Sequence, residues 1–218
     1  MKLYSALTKL ILGAACCAAS ACGGGPLAHV VTLAEVPAAK HSLLEEKQRD
    51  VAASQSQRDK LTQRISDAQA RIENAEQVVD TAEHDIEIAE AGLELEETRA
   101  SAGRAENVTE AQSELNSKRQ ALKVAEAKLN VAEAGMAYDE ALVKEAEKQW
   151  LADLAEYELA KVQLVGAETN EQQARVADFE KQMADQQAEL AIAKRKALEK
   201  KQDLEEAESK LASMPKGA

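Results

Sequence analysis

The sequence predicts an all-α protein, a long antiparallel three-helix coiled-coil bundle made of a helical hairpin and a shorter third helix. Three observations predict it. Apolar residues recur every seven positions over most of the chain. The phase of that repeat changes twice, each time at a glycine flanked by helix-capping residues. Only 2% of the 218 residues are aromatic, and much of the 45% apolar share is alanine, so a compact core would be poor in surface, whereas long helices of Ala, Glu, Lys, Gln and Leu suit these residues' high helix propensity.

The first helix is expected over about 38–100. Every seventh residue across 44–93 reads Leu44, Val51, Arg58, Ile65, Ile72, Val79, Ile86 and Leu93, with a second column of Lys47, Ser54, Leu61, Ala68, Ala75, Ala82, Ala89 and Glu96 three residues on. Apolar a positions with small d positions make a coiled-coil seam. Thr32 with Glu35 and Ser42 with Glu45 have capping-box spacing, and Pro37 between them is tolerated only near a helix start. The column breaks at Gly103, a natural left-handed C-cap residue, and Asn107 with Glu110 can cap a new helix.

The second helix is expected over about 107–165. Its column runs Val108, Leu115, Leu122, Leu129, Met136, Val143, Trp150, Tyr157 and Leu164, and Val124, Val131 and Tyr138 add a second apolar line. A middle helix that touches two neighbours needs such a wider face. This favours three helices in one chain over a two-chain zipper, though self-association stays open. Gly166 ends the column, and Thr169 with Gln172 can start the third helix, about 170–213, through Val176, Met183, Leu190, Ala197, Leu204 and Leu211. Residues 215–218 are a tail. The strict repeat of seven implies left-handed supercoiling.

Partner positions of an antiparallel hairpin share one centre. Leu93 and Leu115, Ile72 and Met136, and Arg58 and Trp150 are all centred on residue 104, next to Gly103. Trp150 and Met183, and Leu129 and Leu204, are centred between Gly166 and Ala167. The one basic residue of the first seam column, Arg58, therefore faces the one Trp of the chain, Trp150. A guanidinium over an indole is worth about 0.5–2 kcal/mol and makes the pair a candidate register lock; outward snorkelling of Arg58 is the alternative. The third helix ends opposite residue 121, which leaves a tip over about 88–120 only two helices thick. Ile88 and Leu95 lie there off the seam, a candidate partner patch.

Little here supports chemistry. His29, His41 and His84 are scattered, and no pair has metal-ligand spacing on a helix face. No phosphate-binding glycine loop is present, and acids at outer helix positions lack the apolar pocket of a general acid or base. We therefore expect no catalytic residues, no metal site, no cofactor and no enzyme activity. The formal charge of −12 disfavours nucleic acid as a partner.

The amino terminus reads as targeting sequence. Lys2 and Lys9 form a basic stretch, residues 10–19 a short apolar one, and Ala19-Ser20-Ala21-Cys22 is followed by Gly23-Gly24-Gly25. All three cysteines fall within 16–22, so none serves a disulfide in the body. This segment resembles bacterial lipoprotein signals, with Ala19 where leucine is usual. The resemblance implies cleavage after residue 21, lipidation of Cys22 with palmitate-type acyl chains, and a tether over 22–37. Loss of residues 1–21, which carry two lysines, takes the formal charge from −12 to −14. By the sorting rule of such lipoproteins, Gly23 implies the outer membrane, facing the periplasm.

The alanine-rich body resembles helical lipoproteins of proteobacteria grouped as a domain of unknown function, and its hairpin resembles those of efflux adaptors, without their aspartate near Arg104. The expected function is a lipid-anchored periplasmic coiled-coil spacer or scaffold. The alternative is an accessory subunit that docks on an envelope export, efflux or motility complex through its tip.

Overall fold

The computed structural model describes residues 32–103, 107–166 and 170–215. The described part is helical, in three long helices: α1, Glu45–Ser101; α2, Val108–Val165; and α3, Asn170–Ala212. α2 is the middle helix. It packs on α1 and on α3, while the backbones of α1 and α3 scarcely approach each other. The fold class expected from the repeat of seven is the one found. Residues 1–31, with Cys22 and the signal segment, lie outside the described residues, as do Arg104 and Thr169.

The seam columns supply the burial. Of the α1 columns, Leu44, Ser54, Ala68 and Ala89 are buried and every other member is half-buried, Lys47 and Glu96 included. Small residues at d let α2 come close: Ala68 and Ala89 are buried, whereas the a residues from Val51 to Leu93 are half-buried. Ser54 is satisfied locally, its hydroxyl donating to the carbonyls of Asp50 (3.0 Å) and Val51 (3.1 Å). On α2 the apolar line of Val124, Val131 and Tyr138 is half-buried. The same line reads Ser117 and Glu110 nearer the tip. Leu211 and Met214 at the end of α3 line a groove with Val78, Ala82, Ala121 and Val124, so α3 stops where α2 ceases to offer it an apolar face.

Both breaks are glycines at positive φ. Gly103 has φ 77°, the left-handed conformation of a helix C-cap, and its N–H donates to the Ala100 carbonyl at 2.9 Å. Gly166 has φ 105° and ψ 162°, a region essentially closed to residues with a Cβ. Asn107 is the N-cap residue of α2 but uses its backbone alone: its carbonyl accepts from Ala111 at 2.9 Å, and its side chain caps nothing.

The start of α1 differs from expectation. Residues 38–44 wind as a tighter 3-10 helix, and the α-helix begins at Glu45. Ser42 lies inside that 3-10 helix, and Leu44 takes the N-cap position with no side-chain cap, so the Ser42–Glu45 capping box does not form. The physical reason is tertiary. Val36 and Leu44 are both buried, in one cluster with Leu159, Val162 and Phe179, and the strap formed by residues 33–44 folds so that both reach it. The Thr32–Glu35 box does form, with the Thr32 hydroxyl donating to Glu35 at 2.8 Å and its N–H at 3.3 Å. It caps only the short 3-10 turn Leu33–Glu35. Those hydrogen bonds from Thr32 hold the Glu35 carboxyl below its ordinary value.

Candidate functional site

Four places in the rod carry polar or exposed groups that packing alone does not require. The first is the seam pair. Arg58 Cζ stands 4.8 Å from the Trp150 ring centroid, and the same guanidinium holds the neighbouring Asp59 carboxylate at 2.8 Å. Trp150 Nε1 is buried and finds no acceptor among the described residues, so the indole is held through its face and not through its N–H.

The second is a carboxylate clamp between α1 and α2. Asp139 of α2 has only 4% of its side chain exposed and lies between Arg64 (2.6 Å) and Arg71 (3.5 Å), one heptad apart on α1. Both arginines are more than half exposed, so the acid is desolvated while its partners keep water. Ion pairs at a similar offset recur along the hairpin, Lys47 with Glu156 at 2.6 Å and Lys118 with Asp85 at 2.9 Å. In each the carboxylate's hydrogen bond raises the lysine above its ordinary value. Glu156 also accepts from Gln187 of α3 at 3.5 Å and so touches both neighbouring helices.

The third is the base, where the strap, α2 and α3 meet. Phe179 is 1% exposed, packed with Val36, Leu44, Leu159 and Val162. Beside it lies a buried ion pair, Lys161 to Glu158 at 2.6 Å, with Lys161 Nζ 4.8 Å from the Tyr157 ring centroid. Burial, then the Glu158 charge, pushes the Tyr157 phenol up. Lys40 Nζ donates to the Leu164 carbonyl at 2.9 Å, which places a cation at the negative end of α2.

The fourth is the tip. Ile88 and Leu95 are 59% and 51% exposed, and Gly92 between them is open, with nothing within 4 Å of where a Cβ would stand. His84 is 70% exposed and 3.4 Å from Glu87.

Residue spacing placed Arg58 opposite Trp150 and left Ile88 and Leu95 uncovered. It did not single out Asp139, Phe179 or the Glu158–Lys161 pair. Phe179 carried a signal, as the one Phe of the chain and three residues after Val176 in the seam. Asp139 carried none, because an acid on the flank of a helix reads as solvated. No group of His, Cys, Asp and Glu able to hold a metal ion occurs among the described residues, and no described helix is long and apolar enough to cross a membrane. No protein-family model, curated protein or solved structure matches the chain.

Proposed function

We propose that the chain is a non-enzymatic lipoprotein of a bacterial cell envelope, a coiled-coil spacer or scaffold anchored through Cys22 in the outer membrane and facing the periplasm. The observation that carries this reading is the length of the two paired helices. α1 and α2 have 57 and 58 residues, which at 1.5 Å per residue is about 86 Å of paired helix. With the anchor before Thr32 at the base, such a rod sets its tip a fixed distance from the membrane. The Ala19-Ser20-Ala21-Cys22 box supports the anchor. The charge supports the orientation, since an acidic rod stands off anionic lipid head groups.

Mass spectrometry of the amino terminus after expression in a Gram-negative host tests the anchor. The expected species begins at Cys22 and carries acyl chains, and Cys22→Ala leaves the membrane fraction. Soluble, unmodified protein, or a Cys22→Ala variant still held in membranes, overturns it.

The exposed Ile88 and Leu95 favour a second reading, an accessory subunit that docks through its tip. Replacement of both by Lys would abolish copurification of a specific envelope partner from membranes, whereas a pure spacer would behave as wild type.

A further inference from the structure

The two ends of the rod differ in charge and in what they leave uncovered. The tip segment 83–97 holds seven acids and no Lys or Arg. The strap, 33–44, holds one acid and one Lys, and both are engaged. The Glu35 carboxylate accepts from Thr32, and Lys40 Nζ donates to the Leu164 carbonyl at 2.9 Å. Leu164 belongs to the last turn of α2, so this contact fixes the strap at the end of the rod.

Residues 38–44 form a 3-10 helix, in which side chains three apart eclipse. The line of His41 and Leu44 turns inward. Leu44 is buried, and His41 is half-buried and donates to the Val36 carbonyl at 2.9 Å. The line of Pro37, Lys40 and Leu43 is exposed throughout, and Lys40 places it at the rod end. Leu43 is 65% exposed, more than Ile88 or Leu95 at the tip. The acids that follow, Glu45 and Glu46, come with Lys47 and Arg49, so residues 33–49 hold three acids against three bases. At the end of α2, Glu156 is paired with Lys47 and Glu158 with Lys161.

The length of chain before the strap bears on what covers this line. Ten residues, 22–31, precede Thr32, a span of at most about 36 Å, whereas the helices carry the tip about 86 Å away. The strap is therefore the described segment nearest to a bilayer that holds Cys22. Its exposed line also has the chemistry of a head-group region. Leu43 and Pro37 suit the acyl boundary, and the Lys40 ammonium keeps two further N–H donors for phosphate oxygens.

We propose that the strap is a membrane foot: Pro37, Lys40 and Leu43 seat in the head-group region of the same bilayer that holds Cys22. The acyl chains supply attachment, and the foot supplies direction, standing the rod on its base with the acidic tip outermost. The foot rests on the Cys22 anchor proposed above and adds the second contact with the membrane.

The test supplies the anchor chemically. The purified full-length chain with Cys16→Ser and Cys17→Ser keeps Cys22 as its one thiol and is coupled to a maleimide-headgroup lipid in phosphatidylcholine vesicles. The phosphatidylcholine is brominated near the head group, so that it quenches a nearby indole. Residues 1–21 are common to every arm. Leu43→Trp is the reporter, and Trp150, 14 residues before Leu164 on α2 and so about 21 Å up the rod, is the internal control. The emission added by Leu43→Trp should fall about twofold or more, and that of Trp150 by under about a tenth. Pro37→Glu, and separately Lys40→Glu, should each remove about half or more of the quenching at position 43, because an acid then enters the exposed line. Circular dichroism verifies that the variants stay folded. Several outcomes overturn the foot: no quenching at position 43, a blue shift there without quenching (contact with protein), quenching untouched by either Glu, or equal quenching of Trp150 by a rod lying flat. Absence of acyl chains on Cys22 in cells sinks the anchor and leaves this measurement standing, whereas absence of quenching sinks the foot and leaves the anchor standing.

Discussion

Arg58 and Trp150, 92 positions apart in sequence, stack across the α1–α2 seam with Cζ 4.8 Å from the ring centroid. In a repeat of near-identical alanine and leucine layers, sliding one helix by seven residues costs few apolar contacts. One residue pair that can be made in only one alignment removes that degeneracy. A double-mutant cycle of Arg58→Ala and Trp150→Leu measures the contact by urea denaturation. We expect a coupling of about 0.5–2 kcal/mol. Additive effects within about 0.3 kcal/mol would show that the pair contributes nothing beyond packing.

Asp139 is a buried acid with two exposed bases. Replacement by Ala removes the ion-pair acceptor yet strands little, because Arg64 and Arg71 return to water. We expect a loss of about 1–3 kcal/mol. Arg64→Ala alone should cost under about 1 kcal/mol, since Arg71 stays in place and exposed partners contribute little. Equal costs for the two substitutions, read from the same denaturation curves, would contradict this division.

Phe179 joins the strap to both α2 and α3. Phe179→Ala should be the costliest single truncation in the rod, about 3–5 kcal/mol. Hydrogen exchange should localise the damage to residues 33–44 and the amino-terminal half of α3, with the α1–α2 tip unchanged. Uniform loss of protection along the whole rod would show that the base is not a separable unit.

Glycine does opposite things at two positions. Gly92 is helical, exposed and open around its missing Cβ, so Gly92→Ala should raise stability by about 0.5–1 kcal/mol. Gly103 also has open space, but its φ is 77°, and Gly103→Ala should lower stability by about 1 kcal/mol through backbone strain alone. Thermal melts that shift in the same direction for both variants would contradict the assignment.

Lys47 and Tyr157 each hold a proton more tightly in the folded rod than in the unfolded chain, Lys47 through its hydrogen bond to Glu156 and Tyr157 through burial. Both folded values lie above the ordinary 10.5 and 10.0. Their contribution is therefore complete below pH 10 and is lost as pH rises through the folded values. Urea midpoints should be level with respect to these groups from about pH 7 to 9 and fall above about pH 10. Lys47→Met should make that fall shallower, and a midpoint that climbs above pH 10 would refute the linkage.

The helices and the main seam were legible in residue order because both signals are local and periodic. A column from Leu44 to Leu93 needs no knowledge of its partner to define an apolar stripe, and Gly103 and Gly166 need only their own backbone to end a helix. The common centre of the columns then sets Arg58 against Trp150. The Ser42–Glu45 box shows where such reading stops. Its spacing suits a cap, yet burial of Val36 and Leu44 against Phe179 winds 38–44 as 3-10 helix instead, and a few kcal/mol of apolar burial outweighs the roughly 1 kcal/mol of a cap.

The sequence by itself determined the fold class, the two reversals, the pairing of α1 with α2 and the bareness of Ile88 and Leu95, for each comes from a repeat and its interruptions. The tertiary structure alone decided which charges leave water. Glu158 and Lys161 read as an ordinary i,i+3 surface pair, and Asp139 as a solvated acid, until the strap and the flank of α1 cover them. Burial of a polar side chain depends on a third element arriving from far along the chain, and no local period encodes that arrival.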